Sequence, residues 1–316
     1  VTFGGSRGTA GPSTASAAGD AEPCRLPIVP PTVAALQDRL EALAQAGSCA
    51  RFGGACSLAL AVDGIGGAAV TGLGAFDHNP DNVVLMAVRC GSRDGILSVA
   101  FQGNDKDEGC AVSSGQAAVA FVDTFRGGLL SEADIGPTLR RAMLTADALI
   151  RALVDADPHG FDAKTAAGPR RSLSGIGTCV TAAFALPGVL HVAHVGDSCA
   201  VLRRGPDLRK LTQEHTLAND RAFRARVRAQ PEDAAVGVGV VLCVLGLGPE
   251  PKMDVSRLQL LPGDQVFVGN LALPHALARI EGLPRAPETA ASTIVRAMTD
   301  GVPWSPATVA VMAVNG

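Results

Sequence analysis

The sequence predicts an α+β fold, with antiparallel strand pairs and helices occupying separate stretches of the chain. Short apolar runs recur between glycine- and proline-rich turns, most clearly Gly175-Ile-Gly-Thr-Cys-Val-Thr-Ala-Ala-Phe184 and Leu190-His-Val-Ala-His-Val-Gly-Asp-Ser-Cys-Ala-Val-Leu202. Leu186-Pro-Gly188 separates these two runs, so the pair reads as a β-hairpin whose second arm ends in the tight turn Val195-Gly-Asp-Ser198. Elsewhere the apolar residues recur at helical spacing, over 113–125 and 131–154. Hydrophobic residues make up 47% of 316, which suffices for a large core in one big domain or two smaller ones.

Composition narrows the function classes. There is no tyrosine and one tryptophan, Trp304, so Ala, Val and Leu fill the core and aromatic platforms for stacking bases are lacking. A net charge of -3 offers no bulk attraction to nucleic acid or to a membrane surface. The eight cysteines, Cys24, Cys49, Cys56, Cys90, Cys110, Cys179, Cys199 and Cys243, form no Cys-x-x-Cys pair and read as buried thiols in preference to a zinc site or disulfides. Val1–Ala21 has no continuous apolar core and no run approaches membrane-spanning length, so the expectation is a soluble cytoplasmic protein.

In chain order, residues 1–30 read as a flexible tail, because Gly, Ser, Thr and Ala dominate up to about Glu22 and cannot repay the entropy of ordering. Residues 31–54 carry a flanking helix: Thr32 is the N-cap after Pro30-Pro31, Val33, Leu36, Leu40 and Leu43 form its stripe, and Gly47 stops it. Its stripe either packs on the domain or receives a partner. The main domain spans 55–316. It opens with strand-like Ser57–Val62 and Ala68–Gly72 around Asp63-Gly-Ile-Gly-Gly67, where residues tolerant of positive φ suit a hairpin. Val83–Cys90 and Ile96–Gln102 form the next pair across Gly91-Ser-Arg-Asp-Gly95.

A helix follows over Ser113–Phe125 with Ala117, Phe121 and Phe125 on one face. A second, N-capped by Ser131, passes Pro137 near its start and runs to about Val154 with Leu139, Met143, Leu149, Ile150 and Leu153 facing inward. Pro158–Ser174 is a polar, basic loop into the hairpin. Beyond the hairpin, Thr216–Asp233 carries Arg221, Arg224, Arg226 and Arg228, which read either as a solvated helix face or as a site for an acidic or phosphorylated partner. Val236–Leu247 is strand-like. His191 and His194, three apart on a strand, fall on opposite faces, so packing or surface roles prevail over a metal pair or a Cys199–His nucleophile.

Gly-x-Gly-Thr, the hairpin, Val-Gly-Asp-Ser-x-Ala-Val-Leu and then Leu211-Thr-Gln-Glu-His215 together resemble the centre of the metal-dependent protein serine/threonine phosphatases, type 2C-like (PPM). The resemblance extends more weakly over about 55–315. It implies a four-layer αββα sandwich, two antiparallel sheets covered by helices, with Ala286–Met298 as one covering helix and 216–233 as a flap beside the active site.

Matched to the family motifs, the metal-bearing positions are changed. If Gly74 matches the family glycine, Asp77 stands in place of the phosphate-binding Arg, Pro80 in place of an acidic metal partner, and Asp81 matches the family's second acid. Gln102, followed by Gly103 in Phe101-Gln-Gly-Asn-Asp105, takes the place of the Asp that bridges two divalent ions. In Pro262-Gly-Asp-Gln-Val-Phe-Val-Gly-Asn-Leu-Ala-Leu273, Gly263-Asp264 fits the family and the metal Asp maps to Leu271, with Asn270 one residue before it. Ser305 and Pro306 replace the closing Asp-Asn, while Thr308 and its strand are kept. A carboxylate does not hold phosphate as guanidinium does, and neutral side chains do not balance two dications.

Asp197 and Asp81 remain as residual metal candidates, Asp197 at an auxiliary metal position of the family. No catalytic residue or cofactor is therefore expected, and the first reading is a phosphatase-like domain without chemistry that binds a protein, a kinase or a phosphoprotein. The alternative is an active, divergent Mg- or Mn-dependent phosphatase. In it Asp63, Asp105 and Asp107 join Asp81 and Asp197, although Asp63-Gly-Ile-Gly-Gly67 also reads as a plain turn and Asp105, Asp107 and Glu108 as a solvated acidic turn.

Overall fold

The structure is a computed structural model that describes residues 56–72, 79–103, 108–129, 131–156, 177–229, 239–248, 250–301 and 306–315. The expected tail (1–30) and flanking helix (31–54) lie outside these residues, as do Asp77, Asp105, Asp107 and Ser305.

Two antiparallel sheets form the centre. Their strands are β1 Cys56–Val62, β2 Ile65–Gly72, β3 Asn82–Cys90, β4 Arg93–Gly103, β5 Thr178–Leu186, β6 Val189–Val195, β7 Cys199–Arg204, β8 Asp207–Lys210, β9 Asp254–Gln259, β10 Gln265–Gly269 and β11 Ala307–Val314. One sheet has the order β1-β2-β11-β10-β7-β8 and the other β3-β4-β5-β6-β9. Two-residue turns set the registers of the hairpins: Asp63-Gly64, with φ of 43° and 79°, joins Val62 to its partner Ile65, and Pro187-Gly188 joins Leu186 to Val189.

The helices α1 Glu108–Gly128 and α2 Ile135–Ala156 cover the five-stranded sheet, while α4 Leu273–Arg279 and α5 Pro287–Gly301 cover the other. A short α3, Arg221–Ala229, stands in the flap. Ser131 precedes a 3₁₀ turn, Glu132–Asp134, that leads into α2; Asp134 accepts the Ser131 backbone N–H at 2.8 Å, which closes a capping box.

Strand alternation divides the apolar residues into three layers. Leu85, Ile96, Ala183, Leu190, Val192, Val266 and Met312 meet between the sheets. Phe101, Phe121, Phe125 and Phe184 pack under α1 and α2 in a chain of ring contacts with centroids 5.7, 6.0 and 5.4 Å apart. The core is thus the αββα sandwich that the resemblance implies. Among the described residues no helix is long and apolar enough to cross a membrane.

Four elements differ from the sequence expectation, among them the exposed edge strand β8, whose polar Asp-Leu-Arg-Lys was not foreseen. Where described, 236–247 is not a strand but a loop with single bridges from Val241 to Thr216 and from Leu245 to Thr178; Gly239 and Gly246, at φ of 83° and 90°, turn the backbone out of the strand conformation. β9 was not foreseen, because Asp-Val-Ser-Arg-Leu-Gln pairs only at a sheet edge, stays largely exposed and carries little apolar signal. The short α4 also escaped notice, with Pro274 in its first turn.

Candidate functional site

The connections at one end of both sheets converge to form a crest. Asp81 enters it just before β3, Gln102 and Gly103 at the end of β4, Asp197 in the β6–β7 turn, and Asn270 just after β10. The turn needs glycine at 196: φ is 101°, and a Cβ there would stand 2.3 Å from the Cys179 Sγ. Gly103 is equally confined, since its Cβ would lie 2.8 Å from Pro80.

Asp81 and Asp197, the acids that the described residues bring to the crest, are each held by an amide. Asn270 Nδ2 donates to Asp81 Oδ2 at 2.9 Å and to the Pro306 carbonyl at 2.6 Å, and the Gly103 N–H donates to Asp81 Oδ1 at 3.2 Å. Gln102 Nε2 donates to Asp197 Oδ1 at 2.9 Å, while its Oε1 accepts the Leu271 N–H at 3.0 Å. Pro80 is buried, its carbonyl accepting the Ser114 hydroxyl at 2.6 Å. Burial raises the Asp81 carboxyl to about 7 against the lowering effect of Asn270 and Gly103. Burial also raises Asp197, over the opposing hydrogen bonds from Cys179 and Gln102. The Cys179 thiol is pushed well up, first by burial and then by the Asp197 charge.

The side chain that enters the crest from the β10–α4 connection is that of Asn270, which is 2% exposed, whereas Leu271 turns outward at 54% exposure and contributes only its backbone N–H. Leu271, the position matched to the metal Asp, therefore brings no side-chain ligand into the crest. Asp63 is corrected as a partner of Asp197. It lies in the β1–β2 turn at the opposite end of the sheets, where its carboxylate accepts the Asp94 N–H at 2.9 Å.

Behind the crest a histidine cluster joins the sheet to the flap. His194 faces the space between the sheets, with Nδ1 2.9 Å from the Thr181 hydroxyl, and its ring centroid lies 4.9 Å from that of His215. Burial, followed by the neighbouring His215, lowers His194 to about 3. The Gly196 N–H donates to His215 Nδ1, which leaves the proton on Nε2 to reach Asp254 Oδ2 at 3.0 Å. Burial would raise Asp254, but the His215 hydrogen bond and nearby charges hold it below the usual range. His215 also binds Gly196 O through its backbone N–H and accepts the Leu242 N–H, both at 2.7 Å. His191 faces the helix layer instead, beside Glu132 and Arg257. Neither histidine meets Cys199, whose thiol approaches the Asn270 carbonyl at 3.8 Å. Sequence reasoning missed the Asp254–His215 contact, which spans 39 residues and has no local signal.

In the flap, Asp220 caps α3 by accepting the Phe223 N–H at 2.8 Å, and Phe223 is buried while Arg221 and Arg224 are exposed. Val240, Leu242 and Leu271 expose 43%, 53% and 54% of their surface around the same end of the molecule.

A donor set for two hard dications must present several free carboxylate oxygens. Among the described residues the crest does not fit: Asp81 and Asp197 already accept N–H groups, and the neighbouring positions are Pro80, Gln102 and Asn270. Among the described residues, no group of three or more His, Cys, Asp or Glu side chains comes together that could hold a metal ion.

Residues 97–247 match the profile of the family described as Protein phosphatase 2C. No relative among curated proteins is found by sequence. In structure, the chain is similar to the serine/threonine phosphatase PstP/Ppp of Mycobacterium tuberculosis, with a TM-score of 0.60 and 21% identity over 82% of this chain and 100% of that one. The catalytic domain of PstP in complex with two manganese ions gives 0.59 at 21% identity, covering 80% and 99%. The serine/threonine phosphatase Stp1 from Staphylococcus aureus gives 0.60 at 16%, covering 83% and 98%. At these identities the likeness is one of fold.

Proposed function

We propose, on the premise that this chain carries a protein phosphatase 2C (PPM) family domain, that it is a pseudophosphatase: a phosphatase-like module that binds protein partners in serine/threonine phosphorylation signalling in the cytoplasm, without turnover. The observation that carries this reading is the crest itself, where carboxamides from Gln102 and Asn270 engage the two remaining acids. A metal-assisted hydrolysis needs an activated water on a cation held by anionic oxygens, and here both Asp81 oxygens and the Asp197 Oδ1 already accept N–H groups. Scaffold and chemistry are separable, and the layers, turns and core of this scaffold are intact.

The partner surface in this reading is the outer rim. Arg221 and Arg224, three apart on one helix, present two guanidinium groups of the kind that bind phosphate or carboxylate, and Val240, Leu242 and Leu271 offer apolar contacts nearby. A kinase activation segment or another phosphorylated protein segment has matching chemistry.

The test combines a phosphopeptide hydrolysis assay in Mn²⁺ or Mg²⁺ with calorimetric binding of the same peptides. No turnover is expected, together with binding that weakens in Arg221→Ala/Arg224→Ala. Metal-dependent turnover that disappears in Asp197→Ala would overturn the proposal and establish the divergent-enzyme alternative.

A further inference from the structure

We infer that Gln102 and Asn270 form a clasp of hydrogen bonds that holds the two sheets together at the crest, so that the fold is complete without any cation. The inference rests on the pseudophosphatase reading for the identity of position 102, and on the geometry for everything else.

Gln102 belongs to the five-stranded sheet and acts on two elements at once. Its Nε2 reaches Asp197, in the turn where the chain crosses from one sheet to the other, and its Oε1 takes the Leu271 N–H from the connection that leaves β10. Asn270 belongs to the six-stranded side. It donates to Asp81 at the start of β3 and to Pro306 just before β11, and its Oδ1 accepts the Ala272 N–H at 3.2 Å. Gly103 N–H adds a second contact to Asp81, so adjacent residues 102 and 103 touch both acids.

The choice of amide over acid is what makes this arrangement self-consistent. A carboxamide presents a donor and an acceptor, and both of these side chains use both. A carboxylate of the same shape has no N–H to give. At position 102 or 270 it would set two anions about 2.9 Å apart, an arrangement that persists only with a proton or a cation between them. An amide therefore supplies as hydrogen bonds the cohesion that a dication supplies through charge. Because each amide is largely buried, Gln102 at 8% and Asn270 at 2% exposure, water does not compete strongly for its partners.

The experiment is a set of thermal melts of the full chain in EDTA and in millimolar Mn²⁺ near neutral pH, for wild type, Gln102→Glu, Asn270→Asp and the double variant. Wild type is expected to melt at the same temperature in both. Each single variant should melt about 5 °C lower in EDTA, since a buried carboxyl group left without its amide partner is a large effect for a domain of this size. The double variant should recover part of its loss in Mn²⁺. Stabilisation of wild type by Mn²⁺, or variants as stable as wild type in EDTA, would overturn the clasp. So would a double variant indifferent to Mn²⁺, because its four carboxylates would then not converge as the clasp geometry requires.

Should the variants fail to fold, hydrogen exchange of wild type in EDTA decides. The Leu271 and Gly103 N–H groups should be protected, and exchange at free-peptide rates would overturn the inference. Phosphopeptide turnover by a wild type whose melting ignores EDTA would sink the pseudophosphatase reading while leaving the clasp in place.

Discussion

Asn270 and Asp81 stand 189 residues apart in the chain, and the Asn270 Nδ2 lies 2.9 Å from the Asp81 Oδ2. They come from opposite sheets, and both are almost fully buried, at 2% and 1% exposure. This pair, with Gln102 and Asp197 beside it, determines how the crest behaves. Among the described residues, the side chains that meet there satisfy one another and present no open ring of anionic oxygens.

The turn that presents Asp197 depends on Gly196. Gly196→Ala places a side chain at a φ of 101°, with its Cβ 2.3 Å from Cys179 Sγ and 2.4 Å from Cys179 Cβ. Backbone strain and overpacking together should cost about 3–5 kcal/mol, read from urea denaturation. Adding Cys179→Ala should not restore stability, because that Cβ and the backbone Cα at 3.0 Å remain in the way. Full rescue would mean that the thiol alone sets the constraint.

His194 should make the protein sensitive to acid. Its pKa in the fold, about 3, lies below the ordinary 6.5, so its stabilising contribution is present above pH 6.5 and is lost as the pH falls from there towards 3. The loss is up to about 1.4 kcal/mol per pH unit. Asp81 acts in the opposite sense: raised to about 7 from 3.8, it favours the folded state increasingly as the pH falls between those values. Comparison of His194→Gln with wild type therefore isolates the histidine. The variant should lose stability at pH 7 and regain it relative to wild type by about pH 5. An offset that does not change with pH would refute the assignment.

The thiols of Cys179 and Cys199 should be inert in the folded protein. They are 1% and 0% exposed, and burial pushes Cys199 up to about 12 and Cys179 well above its usual value, while only the thiolate reacts with alkylating agents. Peptide mapping after iodoacetamide treatment should find these two sites unmodified in native protein and modified in urea. Rapid native labelling at either would show that the crest opens readily.

Phe125 lies between Phe121 and Phe184, with ring centroids at 6.0 and 5.4 Å. Phe125→Ala opens a cavity between helix and sheet and should cost about 3–5 kcal/mol. The crest lies in another part of the molecule, so binding of phosphopeptide to the remaining folded protein should be unchanged. A matching loss of affinity would tie the helix layer to the partner surface.

Much of this was legible in the chain. Pro187-Gly188 between two apolar runs specifies the β5–β6 hairpin, Ser131 marks the start of the turn leading into α2, and a mismatch between family motif and residue appears at Gln102 without any coordinates. These signals are local: turn chemistry, caps, period and residue type act within a few positions. The strand expected over 236–247 failed for a reason of the same kind, since glycines at positive φ outweighed apolar content.

What the tertiary structure alone decided concerns residues brought together across long stretches of chain. Only the fold shows that Asn270 sends its side chain into the crest while Leu271, the position matched to the metal Asp, turns to solvent. Sequence offered Asp63 as a partner for Asp197, and the strand directions set the two at opposite ends of the sheets. The edge strand β9, and with it the contact between Asp254 and His215, exists only because β6 presents a free side on which a polar segment can pair. The residue types available to the crest were thus written in the chain. Which of them meet depended on strand register, because a shift of one residue exchanges a buried side chain for an exposed one.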